Sequence, residues 1–456
     1  MKKLLTLLLI INGVPALAQT AFTEAEFLAV VRKHHPVVKQ ANIDVRIAQA
    51  NVLVSKGAFD PKAQGSYAQK TFDGLRYYNQ QQYEVEVPTW YGVDLHAGVE
   101  KIQGHRVNPE ETRGDISYVG FSLPLMQNLV MDKRRAALRQ ARVLVQQSEA
   151  EQRSIVNDLL LDALNTYWTW WQYHRMYRLA DSIALNAADR FRMVKTAWKL
   201  GDRAAIDTIE AAVQLQTVEM QKNEAFLGLL KAQLELAAFL WKEESQPYEL
   251  PPGVNPQPAS DQQTAALGEL MHQLTAHPQL QVYQLRLSGL NIERRLKQQS
   301  LLPGIDLKYN QLVGGTNPAK TITETWFQNS YRFGITMAMP LRLSEARGEL
   351  TRTRLKIEQT RLEQANKIVQ LETKLKQAFN EWQQTERQID LQKGIVKNQH
   401  QLQRGEELRF RNGESSLFLV NAREQRTLEA EQKLIQLLSK RNQLLAGLRW
   451  SAGLLQ

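Results

Sequence analysis

The residues best suited to chemistry in this chain of 456 residues are its eight histidines: His34, His35, His96, His105, His174, His272, His277 and His400. None forms HExxH or another i, i+4 ligand pair, so spacing gives no support for a metal site. His35 and His277 each precede a proline, which reads as structural punctuation. There is no Walker-type P-loop, no GxGxxG and no Gly-x-Ser-x-Gly elbow, and the Gly314-Gly315 pair falls in an expected loop. The absence of Cys removes thiol nucleophiles, Cys-based zinc sites, disulfides and a lipid-modified N-terminal Cys. Tyr167, Trp168, Trp170, Trp171, Tyr173 and Tyr177 cluster on one helical stretch, where packing between helices explains them better than a ligand box. The chain reads as a non-enzyme, with no cofactor expected.

With catalysis set aside, the question becomes what the chain builds. The net charge of +10 comes from basic residues scattered along helical faces, which argues against nucleic acid as a partner. The mean hydropathy of −0.42 excludes a polytopic helical membrane protein. Lys2 and Lys3, the apolar run Leu4–Ile11 and the Ala16-Leu17-Ala18 site together read as a secretory signal peptide over residues 1–18.

Prolines mark the organisation. None lies between Leu125 and Gln246 or between Leu341 and Gln456, so both tracts are free to form very long helices. Residues 244–260 hold five prolines and read as a linker between a first repeat, 19–243, and a second, 261–456. His35-Pro36 and Tyr67 recur 242 residues later as His277-Pro278 and Tyr309. Arg135, Trp170 and Gly201 recur 212 residues later as Arg347, Trp382 and Gly413, leaving about 30 extra residues in the first repeat. Each repeat opens on a capping box, Thr23–Glu26 and Ser260–Gln263. Short helices are expected over 24–58 and 261–301, and helical hairpins over 130–243 and 345–452. Ile368, Leu375, Trp382, Ile389 and Val396 keep a strict heptad, matched by Val156, Ala163, Trp170, Tyr177 and Ala184. Gly201 and Gly413 interrupt the two tracts as left-handed turns at the hairpin tips.

Between the helices the period changes to two, over 62–124 and 303–341. Alternation is clear at Val93–Glu100, Ile305–Asn310 and Tyr331–Met339, and it slips at Val119, as a bulge would make it do. Ten-residue alternating segments in a secreted chain are the mark of outer-membrane barrels. Trp90-Tyr91 and Trp326-Phe327 read equally well as interfacial aromatics or as loop packing. About four strands cannot close a barrel in lipid, so several chains must share one.

Phe121-Ser122-Leu123-Pro124-Leu125 and Met337-Ala338-Met339-Pro340-Leu341 precede the two long tracts, which turn at Trp198–Asp202 and Phe410–Glu414. In that order these motifs resemble the TolC-like outer-membrane efflux family across the mature chain. The resemblance implies an α+β membrane protein: a homotrimer with a twelve-strand transmembrane β-barrel, four strands from each chain, continued by a periplasmic α-helical coiled-coil barrel. It implies an exit duct in the outer membrane of a Gram-negative cell, serving a tripartite efflux pump or type I secretion system. The partners would be outer-membrane lipid, a periplasmic adaptor and an inner-membrane RND or ABC transporter. The adaptor would dock at Leu200, Gly201, Asp202, Arg203 and Asn412, Gly413, Glu414, Ser415. The family's periplasmic carboxylate ring has no match after Gly413, where Leu419 and Ala422 stand, whereas Asp207 and Glu210 occupy the corresponding first-repeat positions as candidate gate acids. The extra first-repeat material, Gln81–Val87 and Trp90–Lys101, is expected to be one strand broken near Pro88. The competing reading is a soluble periplasmic coiled-coil scaffold or adaptor.

Overall fold

The computed structural model describes residues 21–108, 111–243, 246–251, 253–257, 265–323 and 326–455. The signal peptide and the second capping box lie outside them, as does part of the linker. In chain order the elements are β1 (Ala21–Phe22), α1 (Glu24–His34), α2 (Pro36–Lys56), β2 (Lys62–Phe72), β3 (Leu75–Pro88), β4 (Asp94–Gln103), β5 (Gly114–Pro124), α3 (Lys133–Lys199) and α4 (Ala205–Ala237). There follow β6 (Asn255–Pro256), α5 (Leu267–Gln273), α6 (Pro278–Gln299), β7 (Gly304–Gly314), α7 (Lys320–Thr323), β8 (Tyr331–Ala338), α8 (Ser344–Arg411) and α9 (Leu417–Ser451). Among the described residues no helix is long and apolar enough to cross a membrane.

Local chemistry sets the boundaries. Thr23 and Glu26 make the expected reciprocal cap at the start of α1. His35 and His277 are extended, and each is followed by a proline at the first helical position of α2 or α6. Asp132 accepts from the Arg135 N–H at 2.7 Å and so starts α3.

The chain divides into two compact units, each drawing on both halves of the sequence. The first comprises the described parts of 1–41, 153–277 and 370–456. Its core gathers Phe27, Leu160, Leu164, Tyr167, Trp168 and Trp170 with residues of α4 and α9. The aromatic cluster is packing: Tyr167 stacks on Phe27 at 5.7 Å, and its hydroxyl lies 2.8 Å from the carbonyl oxygens of Phe22 and Gln257. Those carbonyls flank the short parallel pair of β1 with β6. Asn157, fully buried, donates to the Trp450 carbonyl and accepts from the Leu455 N–H, both at 3.1 Å, which fastens the end of α9 to α3. Heptad residues Ala163, Trp170, Leu375 and Ile389 are fully buried, whereas Leu391 is 71% exposed.

The second unit comprises 42–152 and 278–369 and contains one sheet of six antiparallel strands, in the order β2-β3-β4-β5-β7-β8. Two expectations are corrected here. No strand is broken near Pro88: β3 and β4 are separate strands, with Pro88 opposite Asp94 and Asn79 opposite Gln103. With β2 they bring the sheet to six strands. A two-residue turn joins β2 to β3, with Asp73 and Gly74 both at positive φ (51° and 71°) as a type I′ hairpin requires. Nor is there a bulge at Val119. The β5 register runs unshifted against both neighbours, and the alternation slips only because Ile116 and Tyr118 are apolar residues on the otherwise polar face. Trp90 stacks on Phe59 at 4.3 Å, and Phe327 packs on Tyr309 at 4.3 Å, while Tyr91 is exposed.

Leu375→Asp places a charge in a fully buried seam, and we expect a stability loss of about 3 kcal/mol or more. The exposed control Leu391→Asp should shift stability by no more than ~0.5 kcal/mol. Equal melting temperatures for the two variants would refute the buried seam. Acid response follows from two histidines: burial holds both His35 and His174 below the ordinary value of 6.5. A depressed native pKa contributes stability above the unfolded value, lost as pH falls below about 6.5 and through the native values. The melting temperature should therefore fall below that point, less steeply in a His174→Gln variant.

Candidate conduit wall and helical tips

Strict alternation gives the sheet two unlike faces. On one, Val85 and Leu95 on β3 and β4, and Phe333, Ile335 and Met337 on β8, are large apolar side chains left exposed, of the kind that meet lipid or a partner. The β7–β8 connection covers part of this face, its Phe327 N–H donating to the Tyr309 hydroxyl at 2.6 Å. On the opposite face are Gln64, Gln82, Glu84, His96, Glu100 and Arg332.

The polar face is a connected network. The Tyr118 hydroxyl donates to Glu84 at 2.5 Å, Gln64 donates to the other Glu84 oxygen at 3.1 Å, and Gln82 donates to the Tyr118 hydroxyl at 3.3 Å. His96 lies 3.5 Å from Glu84 and 3.0 Å from the Ser122 hydroxyl. Gly98 lies beneath the Tyr118 ring, where a Cβ would come within 2.6 Å of it. Arg332 on β8 grips both carboxylate oxygens of Glu100 on β4, at 3.2 and 3.1 Å. Those strands are three ladder steps apart, roughly 14 Å on a flat sheet. The bridge closes because the sheet curls toward its polar face. Sequence reading missed this arrangement, since Arg332 and Glu100 lie 232 residues apart; the only available signal was the carboxylates and histidine at alternate positions.

In the first unit the helical tips form as the sequence implies. Gly201 and Gly413 have φ of 84° and 79°. At the first tip the Asp202 N–H reaches the Ala197 carbonyl and the Gly201 N–H reaches Trp198; at the second, Glu414 reaches Arg409 and Gly413 reaches Phe410. Both are Schellman ends, each satisfying two orphan carbonyls. Leu200 is exposed, and Ser416 caps α9. Arg203 lies over the Phe410 ring at 4.3 Å, so the two tips touch. Ser415 donates to the buried Glu406 at 2.5 Å.

Asp207 lies 4.0 Å from Arg203, and Glu210 accepts from Asn421 at 3.5 Å. Burial and then the neighbouring Asp207 raise the Glu210 pKa above its ordinary value. Asn421 also accepts from Arg190, which pairs through both terminal nitrogens with the 3%-exposed Glu424 at 2.9 Å. The candidate acids thus adjoin a charged network joining the two hairpins of one chain. A cavity of about 490 Å³ beside it is lined by Arg190, Arg203, Phe410 and Glu424 among others. Among the described residues no group of three His, Asp or Glu side chains could hold a metal ion.

With this geometry in place, residues 271–454 match the family model for the outer membrane efflux protein. This segment belongs to that family. The solved structures agree on the fold of the whole chain. The CmeC outer membrane channel of Campylobacter jejuni is 13% identical, with a TM-score of 0.66 over 94% of this chain and 85% of its own. VceC of Vibrio cholerae is also 13% identical, with a TM-score of 0.65 over 94% of this chain and 96% of its own. The MtrE outer membrane channel of Neisseria gonorrhoeae gives 13% and 0.67 over 94% and 88%. A sequence search of curated proteins finds no match. The resemblance carried by the paired hairpins and proline-bearing motifs is borne out, and the architecture is that of outer membrane channels.

Arg190→Met leaves Glu424 buried without its cation. We expect a loss of about 3–5 kcal/mol, largely restored in the double variant Arg190→Met, Glu424→Leu. Denaturant melts of both variants check this, and an unchanged midpoint for Arg190→Met would refute a structural role for the pair.

Proposed function

We propose that this protein is the outer-membrane exit duct of a tripartite efflux pump or type I secretion system. It passively conducts substrates that a periplasmic adaptor and an inner-membrane RND or ABC transporter deliver. The observation that carries the reading is the curled sheet, apolar outside and polar inside, in a chain whose fold is that of outer membrane channels. An amphipathic sheet with open edges enters lipid only as part of a closed barrel, so the working form is an oligomer, in the family a homotrimer. The helical part then stands in the periplasm of a Gram-negative cell. Its tips, Leu200–Arg203 and Asn412–Ser415, are the proposed adaptor contacts, and Asp207 and Glu210 the proposed gate acids. Nothing in this reading requires catalysis or a cofactor.

Membrane fractionation separates this from a soluble periplasmic scaffold: the mature chain should appear in the outer membrane and run in detergent as a trimer. Complete recovery as a soluble monomer would overturn the duct. Gly201→Val and Gly413→Val should each strain a left-handed turn by ~1 kcal/mol or more. The trimer should persist at normal abundance while export fails, seen as accumulation of a fluorescent efflux dye in the variant strains. Wild-type export by both variants would remove the tips as the docking surface.

A further inference from the structure

The six-strand sheet leaves two strands with an unpaired edge, β2 and β8. If the protein is a shared barrel, as proposed above, each of those edges must find a partner in another copy. The simplest closure for a four-strand contribution would set β8 of one copy against β4 of the next. That edge of β4 is already occupied: β3 pairs with it from Asn79 to Pro88. Side chains reinforce the pairing across β4, since Glu84 and Gln82 on β3 both bond the Tyr118 hydroxyl on β5. Gln64 on β2 bonds Glu84 in turn, and the tight Asp73-Gly74 turn ties β2 to β3. Freeing β4 would break this ladder and strand the buried Glu84.

We infer that β8 of one copy pairs with β2 of the next, so the first-repeat hairpin β2–β3 is part of the barrel wall. Parity supports it: in six antiparallel strands the two edges run in opposite directions, so joining β8 to β2 continues an all-antiparallel ladder. Side-chain size supports it as well. On the apolar face β8 presents Phe333, Ile335 and Met337, all exposed, while β2 presents the small Ala63 and Gly65 beside the exposed Tyr67, leaving room at two positions for the large β8 side chains. Every copy then supplies six strands, and three copies close a barrel of eighteen. Barrel diameter grows roughly linearly with strand number, so the mouth would be about half again as wide as a twelve-strand one, in the size range of water-filled pores.

The chain has no Cys, so introduced pairs report cleanly. Two tagged versions are co-expressed, one carrying Gln64→Cys, Ser66→Cys or Ala68→Cys, the other Gly334→Cys, Thr336→Cys or Ala338→Cys. Facing residues on paired strands lie about 4.5–5.5 Å apart at Cα, within disulfide reach. After mild oxidation of outer membranes, at least one of these same-face combinations should link the two tags. Tyr67→Cys, on the opposite face, should link to none of the three β8 positions. An outer-membrane trimer in which the β8 cysteines instead link to Ile102→Cys on β4 would overturn the six-strand wall while leaving the duct intact. So would a trimer in which no combination links. A soluble monomer would overturn both. Electron microscopy of the detergent-purified wild type needs no variant: six wall strands per copy are expected, and four with the hairpin outside the wall would refute the inference.

Discussion

On the proposed reading, the constraint on which the sheet depends is that no backbone donor or acceptor can be left unpaired in hydrocarbon. Six antiparallel strands satisfy their inner ladders and leave two open edges, so the sheet is half of an interface before any side chain is considered. The side chains then decide its orientation. Apolar residues occupy one face of the pleat, and the other carries a hydrogen-bonded cluster around Glu84 and Tyr118 together with the Arg332–Glu100 pair. A buried carboxylate such as Glu84 is tolerable only with such partners. The curl of the sheet in turn lets Arg332 on β8 reach Glu100 on β4, two strands that a flat sheet would hold well apart.

The helical unit solves a different problem. Helices of 67 and 68 residues have little intrinsic reason to persist without tertiary packing. The heptad seams supply it where Ala163, Trp170, Leu375 and Ile389 are buried. The ends of the chain's own path are tied down by specific polar bonds instead: Tyr167 holds the segments around β1 and β6, and Asn157 holds the end of α9. Each brings two backbone segments to one buried side chain, so replacing either would loosen both attachments at once.

Legibility from sequence followed the range of the interaction. The long helices, the matched glycine turns and the histidine–proline boundaries depend on residues within a few positions of one another, and all were readable. The β2–β3 hairpin was not. Its strands carry Lys62, Gln64, Lys70 and the run Asn79–Gln82, polar on both faces, so the period-two signal drops out. What holds them is pairing with β4 and bonds to Tyr118, 34 and 36 residues from its partners. Ile116 and Tyr118 misled in the opposite sense, since apolar residues on a polar face look like a slipped register. The salt bridges between hairpins, Arg190 to Glu424 above all, cross 234 residues and leave no periodic trace.

At the tips, the two turns are alike in backbone and unlike in side chains, and the difference bears on gating. Both use a glycine and the same pair of hydrogen bonds, so each hairpin reverses in the same way. After the first turn come Arg203, Asp207 and Glu210; at the equivalent positions after the second come Ser415, Leu419 and Ala422. The charges on one side meet receptors on the other: Arg203 rests on Phe410, and Glu210 contacts Asn421, which shares Arg190 with Glu424. The first-repeat acids therefore have partners within their own chain before any neighbour is added. For them to act as a gate, these contacts must be exchanged for others, and the raised pKa of Glu210 shows what such an exchange would relieve. A carboxylate that burial and a neighbouring acid disfavour gains from moving toward water. For Glu210, separation of the tips would exchange the contact with Asn421 for solvent.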